Sequence, residues 1–210
     1  MSSVENALKG LQNFFEKTIK THGADPKGVD WKDEASQHLR FDQLLKLHTD
    51  KTQSFSILDF GCGYGALVNY LKKQGYQFTY TGYDMTPAVV ETATATFINE
   101  ANCTFTTDLS SIAPQDYVIG SGLFNMKFAD TPEDEWHQHM LSTIDTMWKL
   151  CTKGLAFNSL TSYSDPEYMR ADLYYAEPTQ IFDYCKRNLS KQVALLHDYG
   201  IYDFTILVRR

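Results

Sequence analysis

The apolar positions of this chain change their period near residue 55. Upstream, NALKGLQNFFEKTIK sets Leu8, Leu11, Phe14, Phe15 and Ile19 on a helical stripe, and residues 35–48 repeat the pattern with Leu39, Phe41, Leu44, Leu45 and Leu47. Between them THGADPKGVD, with its Gly, Pro and Asp, reads as a loop. Downstream, short apolar runs alternate with helical segments, the pattern of a parallel sheet covered by helices on both faces. FSILDF (55–60), FTYTGYD (78–84), CTFTT (103–107), DYVIGS (116–121) and GLAFNSL (154–160) predict five strands. Residues 66–73, 88–98 and 134–150 predict helices, with Pro87 and Pro132 where a first turn tolerates them. The chain ends in two more strand-like runs, KQVALLHDY (191–199) and IYDFTILVRR (201–210), joined at Gly200, a link that permits only an antiparallel pair.

Composition narrows the function classes. A chain of 210 residues supports one well-buried domain. With 43% apolar and 21% charged residues it is ordinary globular material, which excludes disordered and fibrous classes. Thirteen Tyr and thirteen Phe point to an aromatic core or to a concave site walled by rings. A formal charge of -7, with basic runs such as Lys186-Arg187 no longer than two residues, argues against a nucleic-acid partner. No run approaches the roughly 20 apolar residues that span a bilayer. The start, MSSVENALKG, also lacks the basic flank and apolar run of a secretion signal, so a cytoplasmic protein without membrane attachment is expected. Cys62, Cys103, Cys151 and Cys185 form no CxxC pair and read as reduced core thiols, with neither disulfide nor metal indicated.

The chemistry concentrates in LDFGCGYGA, where Gly61, Gly63 and Gly65 follow a predicted strand and precede a predicted helix. Glycine lets the backbone turn sharply and approach a ligand, and the helix start offers unpaired N–H groups. Gly61, Gly63 and Ala66 also satisfy the dinucleotide GxGxxG/A fingerprint, which keeps a nicotinamide-dependent oxidoreductase as an alternative. Asp84 closes the next strand, where a carboxylate can accept bonds from both hydroxyls of a ribose; it is equally placed to cap the following helix. Two features separate the nucleotide readings: Asp59, two residues before the first glycine, and the closing hairpin.

With these features the chain resembles the class I S-adenosylmethionine-dependent methyltransferases, whose acid-x-GxGxG loop stands here as DFGCGYG. The resemblance spans residues 55–210. It implies an α/β, Rossmann-like, doubly wound, seven-stranded and mostly parallel sheet that ends in an antiparallel hairpin. The whole chain, 1–210, is then a single domain, with an N-terminal helical lid segment at 1–50 and the core at 54–210. The resemblance also implies S-adenosylmethionine as cofactor, with the loop residues Gly61, Cys62 and Gly63 passing its methionine and ribose portions. Asp84 would bind the ribose hydroxyls, Met85 would lie against the adenine, and Asp108 and Leu109 would meet the adenine edge. Asp108 in TTDLSSIAP has equally the look of a helix cap. Asp59 would orient the loop and the donor's amino group, and Ser121, Gly122 and Leu123 stand at the carboxyl edge of the sheet, where open α/β folds bind ligands.

For the acceptor, SGLFN stands after the fourth strand, where methyltransferases of nucleic acids and glutamine amides carry an Asn/Asp-Pro-Pro-aromatic motif. What remains is a small molecule with a nucleophilic amine or hydroxyl. In GVDWKDEASQHLRFDQLL, Trp31, Gln37 and Arg40 are lid candidates; Trp31 could shelter the sulfonium and Arg40 could bind the donor's carboxylate. Equally, Trp31 could staple the helix to the core and Arg40 pair with an acid. The insertion NSLTSYSDPEYMRADLYYAEP carries Tyr163, Tyr168, Tyr174 and Tyr175 at the acceptor edge. His137, His139, Tyr163 and Tyr174 are the acceptor-side candidates for proton transfer. Positions 137 and 139 do not share a helical face, so at most one of these two histidines faces a site. A non-catalytic donor-binding subunit is the alternative outside enzymes.

Overall fold

The computed structural model describes residues 2–29, 33–48, 50–128 and 130–210. Two helices come first, α1 (Ser3–His22) and α2 (Glu34–Leu44). Ser2 and Glu5 form a reciprocal capping box at the start of α1, and the Asp33 side chain accepts the Ser36 N–H at the start of α2, so each helix begins where its orphan N–H groups find oxygens. The alternating region follows as β1 (Phe55–Phe60), α3 (Ala66–Lys73), β2 (Phe78–Tyr83), α4 (Pro87–Thr96), β3 (Cys103–Thr106), β4 (Gln115–Gly120), α5 (Glu133–Lys149) and β5 (Cys151–Leu160). The chain closes with α6 (Pro178–Asn188), β6 (Gln192–Leu196) and β7 (Asp203–Arg209).

The seven strands form one sheet in the order β3-β2-β1-β4-β5-β7-β6. β1 to β5 are parallel, and β7 runs antiparallel to both β5 and β6. Strand order reverses between β1 and β4, and at such a switch point the loops leaving the carboxyl ends diverge and open a crevice. Neighbouring residues of β1 serve opposite faces, as the strand's period of two requires: Leu58 packs with Trp136, Met140 and Phe157, while Ile57 packs with Leu44, Leu71 and Tyr80. Both faces are covered, which explains why the strands read as continuous apolar runs.

Three features depart from the sequence expectations. α6 was hidden because its buried stripe is only Ile181 and Cys185, too short to register as a period, with Pro178 at its first turn. β6 and β7 are joined by residues 197–202 and not by Gly200 alone; the Tyr199 hydroxyl is 2.7 Å from that of Thr205, folding the link back over the sheet end. α2 packs its Phe41 and Leu44 into the core on the Ile57 face, while α1 lies against α4 and α5. The N-terminal segment therefore splits: α2 is a core helix that also lends Gln37 and Arg40 to the crevice, and α1 walls the crevice with Leu8, Leu11 and Phe15.

Candidate active site

The loop between β1 and α3 is shaped by three left-handed glycines, Gly61 (φ 77°), Gly63 (φ 53°) and Gly65 (φ 85°). L-residues with a Cβ pay for such angles. The Gly61 and Cys62 N–H groups both donate to the Tyr83 carbonyl, at 2.7 and 2.9 Å, tying the loop to the end of β2. Space is short as well as conformation. A Cβ on Gly63 would stand 2.9 Å from Val29 Cγ1, and one on Gly61 would collide with the Leu123 side chain.

Asp84 follows β2 and accepts the Gly63 N–H at 3.2 Å and the Thr86 N–H at 2.9 Å. It thus joins the glycine loop to the start of α4, so both sequence readings of this residue have a counterpart in its contacts. Asp59 is buried at the end of β1 and accepts the Tyr80 hydroxyl at 2.7 Å. Burial pushes its carboxyl up to about 7; the Tyr80 bond opposes the rise and the charge of Asp84 adds to it. Burial likewise raises Asp84, against the pull of its two backbone N–H bonds. The buried Cys62 thiol is pushed well above its usual range, first by burial and then by the two carboxylates, which makes it an inert wall residue.

These groups line a cavity of about 280 Å³. Gln37, Asp59, Gly61, Cys62, Gly63, Asp84, Met85, Ser121 and Gly122 all belong to its wall, and of the four acceptor-side candidates His139 does. Gln37 accepts the Tyr64 hydroxyl at 3.3 Å, and the Met85 carbonyl accepts Gln12 Nε2 of α1 at 3.1 Å. Ser121 Oγ is buried with no hydrogen-bond partner among the described residues, a polar atom held in reserve. Burial lowers the His139 imidazole from its usual 6.5. Among the described lining residues there is no Lys or Arg, so the buried Asp59 and the half-buried Asp84 face a cavity without a Lys or Arg side chain to balance them.

A second cavity, about 790 Å³, adjoins the first and shares Leu11, Phe15, Val29, Gly122 and Leu123 with it. Its own wall comes from distant segments: Asn125 and Met126 after β4, Leu173 of the insertion, and Tyr199, Ile201 and Tyr202 of the β6–β7 link. Arg40 lies here and not in the first cavity. Its Nε and Nη2 donate to Asp203 at 2.8 and 2.9 Å, the acid pairing that sequence offered as the second reading of this arginine.

The remaining candidates lie elsewhere. Asp108 is exposed and accepts the Ser110 N–H at 3.0 Å as the cap of a 3-10 turn at Leu109–Ser111, while the Leu109 side chain packs on the core. His137 Nδ1 and the buried Tyr174 hydroxyl are 2.8 Å apart and lie in neither cavity wall, and Tyr163 is 64% exposed. Trp31 lies outside the described residues. Sequence reasoning missed Leu8, Leu11 and Phe15 of α1, whose helical stripe is visible but cannot be told from a stripe that meets the core. It also missed Asn158 and Asp203, whose signal was a polar residue inside an otherwise apolar strand.

An open sheet with this strand order, a glycine loop at its switch point and an acid closing the second strand define the Rossmann-like methyltransferase architecture. Residues 57–145 match a family model described as a methyltransferase domain. The chain is 48% identical over 156 residues to the "Putative methyltransferase Rv1506c" of Mycobacterium tuberculosis, an alignment that covers 74% of this chain and 93% of that protein. It belongs to the class I S-adenosylmethionine-dependent methyltransferase family. Solved structures share the fold. The N-methyltransferase NodS from Bradyrhizobium japonicum WM9, in complex with S-adenosyl-L-homocysteine, superposes with a TM-score of 0.65 at 18% identity, covering 95% of this chain and 97% of that one. Magnesium protoporphyrin IX methyltransferase from Synechocystis PCC 6803, with S-adenosylmethionine bound, gives 0.60 at 18% identity, covering 94% and 84%. No helix among the described residues is long and apolar enough to cross a membrane.

Proposed function

We propose that this protein transfers the methyl group of S-adenosylmethionine to a nucleophilic amine or hydroxyl of a small molecule, with the donor in the smaller cavity and the acceptor in the larger. The observation that carries the reading is the pairing of a three-glycine cradle with two acids, the buried Asp59 and the half-buried Asp84, in a cavity whose described wall has no Lys or Arg. A dinucleotide brings a pyrophosphate, which Asp59 beside the glycine loop repels. The methyl donor brings an ammonium and a sulfonium, which the same acids attract. The cradle is also sterically tight, since a Cβ on Gly61 or Gly63 would run into Leu123 or Val29, two residues of the cavity wall.

When bound, the donor supplies an electrophilic methyl group on a positively charged sulfur. The chain's work is to hold and align. Asp84 takes the ribose hydroxyls, Met85 flanks the adenine, and Asp59 and Ser121 are polar anchors for the amino-acid end. Gly122 and Leu123 form the boundary across which the acceptor approaches, and alignment of this kind supplies on the order of 7 kcal/mol or more in favourable cases. An amine acceptor needs only to be unprotonated, whereas a hydroxyl needs a base. Of the proton-transfer candidates His139 alone lines either cavity, and burial favours its neutral form; to serve as that base it requires the acceptor's hydroxyl to reach into the smaller cavity. The mostly apolar wall of the larger cavity supports a small molecule with an apolar body.

Calorimetric titration with S-adenosylmethionine and S-adenosylhomocysteine tests the donor site, and donor consumption across a panel of small amines and hydroxy compounds tests the acceptor class. Binding of both compounds with methyl turnover by the isolated chain is expected. Nicotinamide cofactor binding that S-adenosylhomocysteine does not displace would overturn the reading, and donor binding without any turnover would make the chain a donor-binding subunit.

A further inference from the structure

The two cavities meet at the turn formed by residues 121–123, and a buried polar chain reaches this turn along the same carboxyl edge of the sheet, from β7 through β5. It begins at Arg40 on α2, whose guanidinium grips both carboxylate oxygens of Asp203 at the start of β7. Asp203 also accepts Asn158 Nδ2 from the neighbouring strand β5. Asn158 in turn accepts the Gly122 N–H through Oδ1 at 3.0 Å. Asp203 and Asn158 are fully buried and Arg40 is 8% exposed.

Each link constrains the next. A carboxylate beside the Asn158 amide admits only its NH₂ side, so the amide cannot flip and its oxygen must point at Gly122. Gly122 has φ 71°, a conformation that a free turn leaves easily and that the Asn158 bond holds. The expense of the arrangement is itself informative. A buried ion pair is often no more stabilising than apolar side chains of the same volume, so stability alone is a weak reason for it. What the chain of bonds gains is direction: it ends on a backbone N–H in the wall of both cavities, next to the unpartnered Ser121 Oγ.

We infer that Arg40, Asp203 and Asn158 are positioning residues that aim the turn at 121–123 between the donor and acceptor cavities. The inference rests on the donor site proposed above. It predicts that a change at Asn158, which lines neither cavity, weakens donor-product binding out of proportion to its effect on folding.

The test compares Asn158→Ala with Ile181→Ala, a fully buried α6 residue that lines neither cavity, by calorimetry with S-adenosylhomocysteine at a temperature where both variants are folded. Loss of the hydrogen bond to Gly122 is expected to raise Kd about tenfold in Asn158→Ala, with less than about a twofold change in Ile181→Ala. Amide hydrogen exchange at Gly122 is expected to quicken in the first variant only. If Asn158→Ala fails to fold, the paired replacement Arg40→Met with Asp203→Leu removes the lock on the Asn158 amide, and the same two readouts apply. Equal affinity in the two single variants, or unchanged Gly122 exchange with the bond removed, overturns the inference. Failure of the unaltered protein to bind S-adenosylhomocysteine overturns the donor-site reading instead, before any variant is compared.

Discussion

The two cavities are built by different means. The smaller has a floor of backbone work, one loop of consecutive residues with three left-handed glycines and N–H groups directed to Tyr83 and Asp84, which side chains of α1, α2 and α5 close over. The larger is side-chain work, assembled from α2, the β4–α5 segment, the insertion after β5 and the β6–β7 link. Backbone geometry of the first kind tolerates few residue types, whereas a wall of side chains can be re-clothed without disturbing the strands beneath. A shared donor and a variable acceptor call for that division.

Gly63→Val attacks the backbone-built side and is expected to have the largest effect. Valine at φ 53° is strained by about 1–3 kcal/mol, and its Cβ would stand 2.9 Å from Val29. Calorimetry should find no S-adenosylhomocysteine binding while circular dichroism retains the folded signal. Retained affinity would show that the loop does not touch the donor. Asp84→Ala comes next. Removing the carboxylate proposed to bond the ribose is expected to cost about 1.5–3 kcal/mol, a loss of roughly 10- to 150-fold in affinity. A variant that lost stability but not affinity would leave Asp84 only its role as a brace between Gly63 and Thr86.

Asp59 gives a smaller effect with a diagnostic pH dependence. Its carboxyl stands at about 7 in the folded chain against an ordinary 3.8, so between these values the folded state holds a proton that the unfolded state has released. Stability therefore falls as pH rises from about 4 to 7, and the full cost of ionisation is present above 7. A cationic donor favours the ionised form, so affinity for S-adenosylmethionine should weaken as pH drops from 8 to about 6. Asp59→Asn should flatten both profiles. Parallel profiles in the variant and the unaltered protein would remove Asp59 from the electrostatics of the site.

The same division decides what was legible in the sequence. β1 and α3 fell on their observed bounds because the loop between them announces both ends: an apolar run, a carboxylate, three glycines, then an apolar helical stripe. Gly61, Gly63 and Asp84 were readable together because local chain direction fixes their proximity. Arg40 was not, since its partner Asp203 lies 163 residues away and only the pairing of β5 with β7 brings the two together. Asp108 shows the opposite limit: its cap geometry is local and was visible, while a ligand role depends on surroundings that sequence does not describe.

The insertion tests the side-chain-built cavity at its weakest point. Tyr163 belongs to a tyrosine-rich segment at the acceptor edge, yet its ring lies 64% exposed, 5.7 Å from that of His197 and outside both cavity walls. A ring so placed buries little area, and surface changes of this sort usually stay within about 0.5 kcal/mol. Tyr163→Ala should thus leave the melting temperature and S-adenosylhomocysteine affinity unchanged. Tyr199→Ala, which takes a ring from the wall of the larger cavity and a hydroxyl from Thr205, should lower stability and acceptor turnover. Were Tyr163→Ala instead to raise KM for an acceptor found by screening, that molecule would have to extend beyond the cavity onto the insertion's outer surface, and the acceptor site would be a groove rather than a chamber.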